Sequence, residues 1–415
     1  MAKIFPFRSY RYSARAGDPA SLVTQPYDKI TPEMQERYFS LSPHNLAHVI
    51  RGRTSADDTP DNNVYTRAAG YLRDWIASGL LAQDHVPGLF ACFQKFQAPG
   101  GGRTLVRKGL IALGAVEDYS QGTVYRHERT HSAPKRDRLE LLRHTRAHFG
   151  QLFLLYDDPR LALDARLDEA ARKDPLTRVT DEYGAEHALW PIRDPAEIAA
   201  IQRELEPHKL LIADGHHRYE TALAFRNENP GCPGAAKVMM TLVNMQSPGL
   251  VILATHRVVG NLPAFDTARL LEKARSHFTV EQHASLQALE ARLASAGPYE
   301  SVLGAAFRGD PRFFAFVCYD PARGLDVALL HEAVLGRMLG LTDEAVRDQK
   351  HIRYIRGFQA AAAELASAGS QAVFFLNPVG IEQVAEVAFA GAVMPQKSTD
   401  FYPKLLSGLT IYRVE

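Results

Sequence analysis

Hydrophobic positions along the chain fall into short runs that switch between helical and strand spacing. Tyr65, Ala68, Ala69, Leu72, Trp75 and Ile76 recur at helical intervals and predict a helix over residues 64–78, closed by Gly79. Thr31 before Pro32 predicts an earlier helix start, with a threonine cap and proline at the first helical position. Residues 89–97 and 104–113 read as strands joined by the turn Pro99-Gly100-Gly101-Gly102, a hairpin. Residues 151–156 form an apolar run of buried-strand type, followed by a helix over 161–173. Another helix is expected over 195–204, with Asp194 as cap and Pro195 at its first position. A strand over 209–213 then runs into a helix over 219–227, and strands are expected over 237–244 and 250–257. Beyond residue 260 the pattern predicts helices over 267–278, 286–294, 359–368 and 381–389, with strands over 312–317 and 373–376. The mixture points to an α+β fold, mixed sheets with flanking helices, and not to a uniform doubly wound sheet. Three segments are expected, 1–98, 99–260 and 261–415.

Composition narrows the function classes. With 415 residues, 46% hydrophobic and 23% charged, the chain can build ordinary buried cores. The net charge of +1 provides no global field for nucleic acid or an anionic membrane, so any anion site must be local. Cys92, Cys232 and Cys318 lie far apart and form no CxxC pair, which argues against disulfides or a cysteine-built zinc site. The first residues lack the apolar core of a signal peptide, and no apolar stretch reaches the roughly 18 residues of a membrane span. The cytoplasm is the expected location.

The strongest chemical signal is an apolar strand ending in Asp214-Gly215, followed at once by His216-His217-Arg218 and a helix. The first N–H groups of a helix can cradle an anion, Gly215 permits a sharp turn, and Arg218 can add a bidentate contact to phosphate. Asp214 would repel phosphate; it can hold a bridging metal or orient a histidine. The plain alternative is a capped strand–turn–helix with partly exposed histidines. A second signal is Tyr125-Arg126-His127-Glu128-Arg129-Thr130 with Lys135, Asp137 and Arg138 downstream. A carboxylate among bases can take a proton from a substrate hydroxyl while the bases hold phosphate. A solvated charged loop would look the same. Residues 394–404 form a polar segment bounded by Pro395 and Pro403, where Lys397, Ser398 and Thr399 can bind phosphate or carboxylate, or simply shape a loop. Gln25-Pro26-Tyr27-Asp28, Asn45 and Thr255-His256-Arg257 are weaker candidates. No Walker A loop, GxGxxG fingerprint, HExxH helix or GxSxG elbow is present.

Taken together and in order, these blocks resemble the bacterial and archaeal family catalogued as domain of unknown function 1015, with Gln25 where proline is expected before Pro26. Gly215, Arg218 and Ala222 are also similar to the Gly-x-x-Arg-x-x-x-Ala phosphate box of the ParB/sulfiredoxin superfamily, which implies such a core over 99–260. Sulfiredoxin chemistry requires a cysteine in that box, and none lies between Asp214 and Ala222. Partition proteins need a basic DNA-reading helix, which the charge does not support. The free-serine kinases of the superfamily fit best. The resemblance therefore implies phosphoryl transfer from ATP or ADP, with Mg²⁺, to a hydroxyl of a small polar metabolite such as serine. Glu128, Asp214 and His217 would be catalytic. Gly215, His216, Arg218, Arg129, Lys397 and Ser398 would hold the nucleotide or substrate. A nucleotide or phosphometabolite hydrolase and a non-catalytic nucleotide-binding module remain the alternatives. Homo-oligomerisation is compatible with each.

Overall fold

A computed structural model describes residues 1–128, 132–319 and 324–414, with the side chains of 132–134 left aside. The chain divides into two compact units. The first comprises Met1–Arg126, Thr130–Val251 and Pro403–Glu415, and the second His127–Arg129 and Ile252–Tyr402. The boundary expected at 98 falls in the turn of a hairpin within the first unit, whose two strands pair from Phe90↔Ile111 to Gln97↔Thr104.

The first unit is built on a nine-stranded mixed sheet. Its strands are β1 (Ile4–Phe5), β2 (Leu89–Gln97), β3 (Thr104–Ala115), β4 (Val124–Tyr125), β5 (Leu152–Tyr156), β6 (Thr177–Thr180), β7 (Glu186–Ile192), β8 (Leu210–Asp214) and β9 (Lys237–Asn244). They lie in the order β4-β8-β5-β9-β3-β2-β7-β6, with β1 also pairing β3. The pairs β4–β8 and β5–β9 are parallel, whereas β5–β8 and β3–β9 are antiparallel. This mixture bears out the α+β expectation.

Both faces of the sheet are covered. On one face Leu154, Ile212 and Leu242 pack with Leu163 and Leu167, Ile198 and Ile201, and Tyr219 and Ala222, which come from helices Ala162–Ala170, Pro195–Leu205 and His216–Glu228. On the other face Phe90, Ile111 and Met239 pack with Leu142 of helix Ser132–Thr145 and with Tyr412 and Val414 of the C-terminal segment. Helices Pro32–Leu41 and Val64–Ala77 start where expected, capped by Thr31 and Asn63.

The second unit carries a six-stranded antiparallel sheet. Its strands are β10 (Thr255–Gly260), β11 (Thr279–His283), β12 (Glu300–Phe307), β13 (Phe313–Tyr319), β14 (Ile352–Arg356) and β15 (Ser370–Phe375), in the order β11-β13-β12-β15-β10-β14. One face packs on helix Thr267–Arg275 and on a π-helical stretch, Leu330–Met338; the other packs on Leu286–Ala294 and Phe358–Ala363.

Several elements depart from the expected pattern. Residues 250–257, expected as one strand, form two, Val251–Ile252 and Thr255–Gly260. The helix expected from residue 219 starts at His216, because Gly215 takes a left-handed conformation and turns the chain straight from strand to helix. The basic stretch after residue 131 is the helix Ser132–Thr145, which charge had masked. None of the three cysteines is in a disulfide; Cys92 is buried, and burial pushes its thiol up to about 12. Among the described residues no helix is long and apolar enough to cross a membrane.

Candidate functional site

β8 is irregular just before its end: its register against β5 shifts between Ile212 and Asp214. Such a bulge re-aims the residues that follow it. Asp214 closes the strand, Gly215 sits at φ +100°, and the N–H of Tyr219 donates to the Gly215 carbonyl to open the helix. A Cβ at Gly215 would lie 2.9 Å from the end of the Leu152 side chain and 3.1 Å from the Arg218 guanidinium, and at this φ any side chain would be strained. His216 is buried on the first turn of the helix and His217 is half-buried beside it.

Three chain segments of the first unit bring cations to this turn. Arg218 Nη2 stands 3.9 Å from Asp214 Oδ2, and Lys404 Nζ from the C-terminal segment stands 3.6 Å from the same oxygen. Lys29, from the 3₁₀ turn Tyr27–Lys29, acts on the same carboxyl. Burial opposes ionisation of Asp214, but Lys404, Arg218, Lys29 and His216 outweigh it and hold the carboxyl well below the usual carboxylate range. Arg218 is not a free fork. Its Nη1 donates to the Gln151 carbonyl at 2.5 Å, which fixes the guanidinium and leaves fewer of its N–H groups for phosphate than the bidentate expectation assumed.

Lys404 is itself held by a buried polar chain. The Gln94 amide donates to the Lys404 carbonyl at 2.8 Å, and Arg107 donates to the Pro403 carbonyl and, at 2.9 Å, to Gln94 Oε1. Gln94 also meets His187 Nδ1 at 3.2 Å, and His187 Nε2 lies 3.1 Å from Asp181. Arg107 is fully buried, and burial lowers its guanidinium to about 9.

One space borders the turn through Arg218, and a second runs along the helix that follows it. A cavity of about 60 Å³ is lined by Tyr27, Arg138, His148, Arg218, Thr221 and Ser407 among apolar side chains. It has room for about two waters. An open groove of about 450 Å³ is lined by Tyr119, Arg126, Lys135, Glu220, Thr221 and Asn227 with their neighbours. Thr221 borders both, and its hydroxyl oxygen is buried without a hydrogen-bond partner. Lys135 pairs with Glu220 at 2.8 Å along the groove.

Asp137 and Arg138 are tied into the fold: Asp137 accepts from Tyr65 at 3.0 Å and from Arg138 at 2.8 Å, while Arg138 lies 4.1 Å over the Tyr27 ring. Asn45 is a loop clamp, donating to Ser21 O and accepting from the Ala47 N–H.

The remaining candidates belong to the second unit. Glu128 bridges to Met394, whose N–H donates to the His127 carbonyl at 2.7 Å, and His127 Nε2 lies 2.8 Å from the Thr399 hydroxyl. Ser398 is buried and donates to Pro395 O at 2.5 Å, so its hydroxyl locks the loop. Lys397 is exposed at φ +54°, and its carbonyl accepts from Arg257 at 3.1 Å. His256 is a core histidine: burial, aided by Arg257, lowers it to about 4, and its Nδ1 accepts the Leu376 N–H. Arg129 lies outside the described residues.

Within the first unit, then, Asp214, Gly215, His216 and Arg218 stand together with three residues given no role at the sequence level, Tyr27, Lys29 and Lys404. Tyr27 and Lys404 lay in blocks already singled out; Lys29 directly follows Pro26-Tyr27-Asp28. Among the described residues no group of three or more His, Cys, Asp or Glu could hold a metal ion.

What the fold and this cluster define is an α+β protein with a cation-ringed strand-to-helix turn. The chain belongs to the DUF1015 family, described as a protein of unknown function, whose sequence profile matches residues 4–328. No curated protein matches it. Among solved structures it is similar to a free serine kinase in complex with ADP, at 14% identity and a TM-score of 0.38, over 71% of this chain and 89% of that one. It is also similar to a conserved hypothetical protein from Pyrococcus furiosus, at 14% identity and a TM-score of 0.36, over 69% and 91% of the two chains. SbnI with a C-terminal truncation, from Staphylococcus aureus, matches at 12% identity and a TM-score of 0.36, over 72% and 87%.

Proposed function

We propose that the turn at Gly215 binds the phosphates of ATP or ADP and that the protein transfers a phosphoryl group to a hydroxyl of a small polar metabolite, serine-like in size. The observation that carries the reading is the convergence of Lys29, Arg218 and Lys404 on the start of one helix. Cations beside helical N–H groups favour a multiply charged anion. Asp214 holds these cations in place and is a poor direct metal ligand, hemmed in as it is; Mg²⁺ would arrive on the nucleotide's own phosphates. The 450 Å³ groove has the volume for a nucleoside, and the 60 Å³ cavity does not.

In the transfer, the acceptor oxygen forms a bond to the terminal phosphorus as the bond to the leaving phosphate breaks, and a carboxylate takes the hydroxyl proton. The sequence motif assigns that base to Glu128, in the second unit. The first unit offers Asp28, which is exposed and sits between Tyr27 and Lys29.

The test is a transfer assay with Mg²⁺, ATP or ADP and a pool of hydroxylated metabolites, read by mass spectrometry. A phosphorylated product that disappears in Arg218→Ala supports the reading, and Glu128→Gln against Asp28→Asn names the base. Phosphate release without an acceptor makes the protein a hydrolase. Nucleotide binding with no product makes it a binding module, and no nucleotide binding at all overturns the reading.

A further inference from the structure

Arg257 on β10 is 1% exposed, and its hydrogen bonds all go to main-chain carbonyls: Thr255, Gln396 at 3.3 Å and Lys397 at 3.1 Å. Its Nε–H is buried without an acceptor. Three residues that interact with Arg257 also carry a sealed polar atom without a hydrogen-bond partner: Tyr354 Oη, His331 Nε2 and Gln396 Oε1. Tyr354 is the cross-strand neighbour of Arg257, with its ring 5.2 Å from the guanidinium carbon. His331 lies on the π-helical stretch, a distortion often found at functional sites. It is near enough that Arg257, together with the larger effect of burial, lowers it to about 3. Gln396 is tied to Arg257 through its own carbonyl. Glu128 is the carboxylate whose charge reaches both Arg257 and Tyr354.

Buried polar groups in folded proteins are nearly always paired, and several orphans around one buried cation mark a binding site more readily than a packing fault. Their chemistry narrows what they would bind. Arg257 Nε–H and the Tyr354 hydroxyl are donors that suit an anion, the Gln396 oxygen is an acceptor, and neutral His331 can serve either way. An inorganic anion satisfies only the donors. A ligand carrying a carboxylate and a neighbouring N–H or O–H satisfies all four.

We propose that the second unit binds a small α-amino or α-hydroxy acid, its carboxylate on Arg257 Nε and Tyr354 Oη and its amino or hydroxyl group on Gln396 Oε1. Entry requires the 395–399 loop to lift, breaking the bonds from Arg257 to the Gln396 and Lys397 carbonyls. The inference goes beyond nucleotide binding at Gly215 and stands without it.

The experiment is calorimetry and thermal denaturation of the full-length chain with L-serine, glycine, L-lactate, acetate and inorganic phosphate as separate probes. Serine, glycine or lactate is expected to bind and raise the melting temperature, with acetate about tenfold weaker for want of the donor. Tyr354→Phe removes a hydroxyl with no protein partner, so it should leave the unliganded melting temperature unchanged or higher while weakening the ligand about tenfold. Gln396→Leu should do the same for the amino or hydroxy acids. These two variants keep the test sharp if Arg257→Met fails to fold. Arg218→Ala should leave this binding intact, which separates its failure from that of the phosphate turn. The proposal is overturned if no probe binds, if phosphate alone binds, or if binding survives both Tyr354→Phe and Gln396→Leu.

Discussion

Asp214 and the buried histidines fix how the protein should respond to pH. The folded Asp214 carboxyl lies below its ordinary value of 3.8, so its stabilising effect is present above that value and is lost as pH falls through the lower folded value. His148 behaves alike for a different reason: burial first, then Arg218, lowers it from 6.5 to about 4, so the unfolded chain binds a proton that the folded chain refuses. Stability should therefore fall first from pH 6.5 downward, to about 4 for His148 and His256 and to about 3 for His331, and further below pH 3.8 as Asp214 is challenged. The His148 part amounts to roughly 3 kcal/mol. Urea unfolding at a series of pH values checks this: His148→Phe should remove about 3 kcal/mol of the first fall, leaving the His256 and His331 parts, and Asp214→Asn should flatten the second. Asp214→Asn should lower phosphate affinity if its hold on Lys404 and Arg218 outweighs its like charge and raise it otherwise; a fall in Mg²⁺-nucleotide affinity alone would mean that Asp214 holds the metal. Gly215→Ala, strained at φ +100° and pressed on Leu152, should cost about 1–3 kcal/mol and reduce phosphate binding with it.

At the scale of elements, the parts legible in the sequence were those whose signal is local. The hairpin β2–β3, the helices capped by Thr31 and Asp194 and the Asp214-Gly215 turn all declare themselves through caps, glycines and apolar spacing. Among the strands not expected, β6, β11 and β14 mix charged and apolar residues, as in Thr177-Arg178-Val179-Thr180, and only pairing in a sheet makes them strands; β12 is apolar but too small-residue-rich to show a strand alternation. The site divides along the same line. Gly215 and Arg218 could be read from spacing, whereas Lys404 reaches Asp214 because Arg107 and Gln94 grip the Pro403-Lys404 backbone from distant strands. Gln94→Leu tests that grip. It leaves Arg107 and the Lys404 carbonyl short of partners in the interior, so it should cost about 2–4 kcal/mol in the denaturation midpoint and loosen phosphate binding. Gln94→Glu, which keeps the acceptor for Arg107 but not the donor for Lys404, should recover stability more than binding.

For the whole molecule, a net charge of +1 conceals strong local contrast, with one cation cluster ringing Asp214 in the first unit and one buried guanidinium in the second. Each unit has its own sheet and its own apolar clusters, so each should respond to its own ligand. Calorimetric unfolding can read this directly. ADP or phosphate should move the heat absorption of the first unit, serine or lactate that of the second, and the shifts should add when both are present. Arg218→Ala should erase only the nucleotide shift and Tyr354→Phe only the other. The nucleotide shift should also shrink as salt rises from 0.05 to 0.5 M, because it depends on lysines and an arginine near solvent, while the shift at the sealed Arg257 should change little (roughly, on screening grounds). If one ligand moved all of the unfolding heat together, the two units would unfold as one cooperative body, and the variants alone would then tell the sites apart.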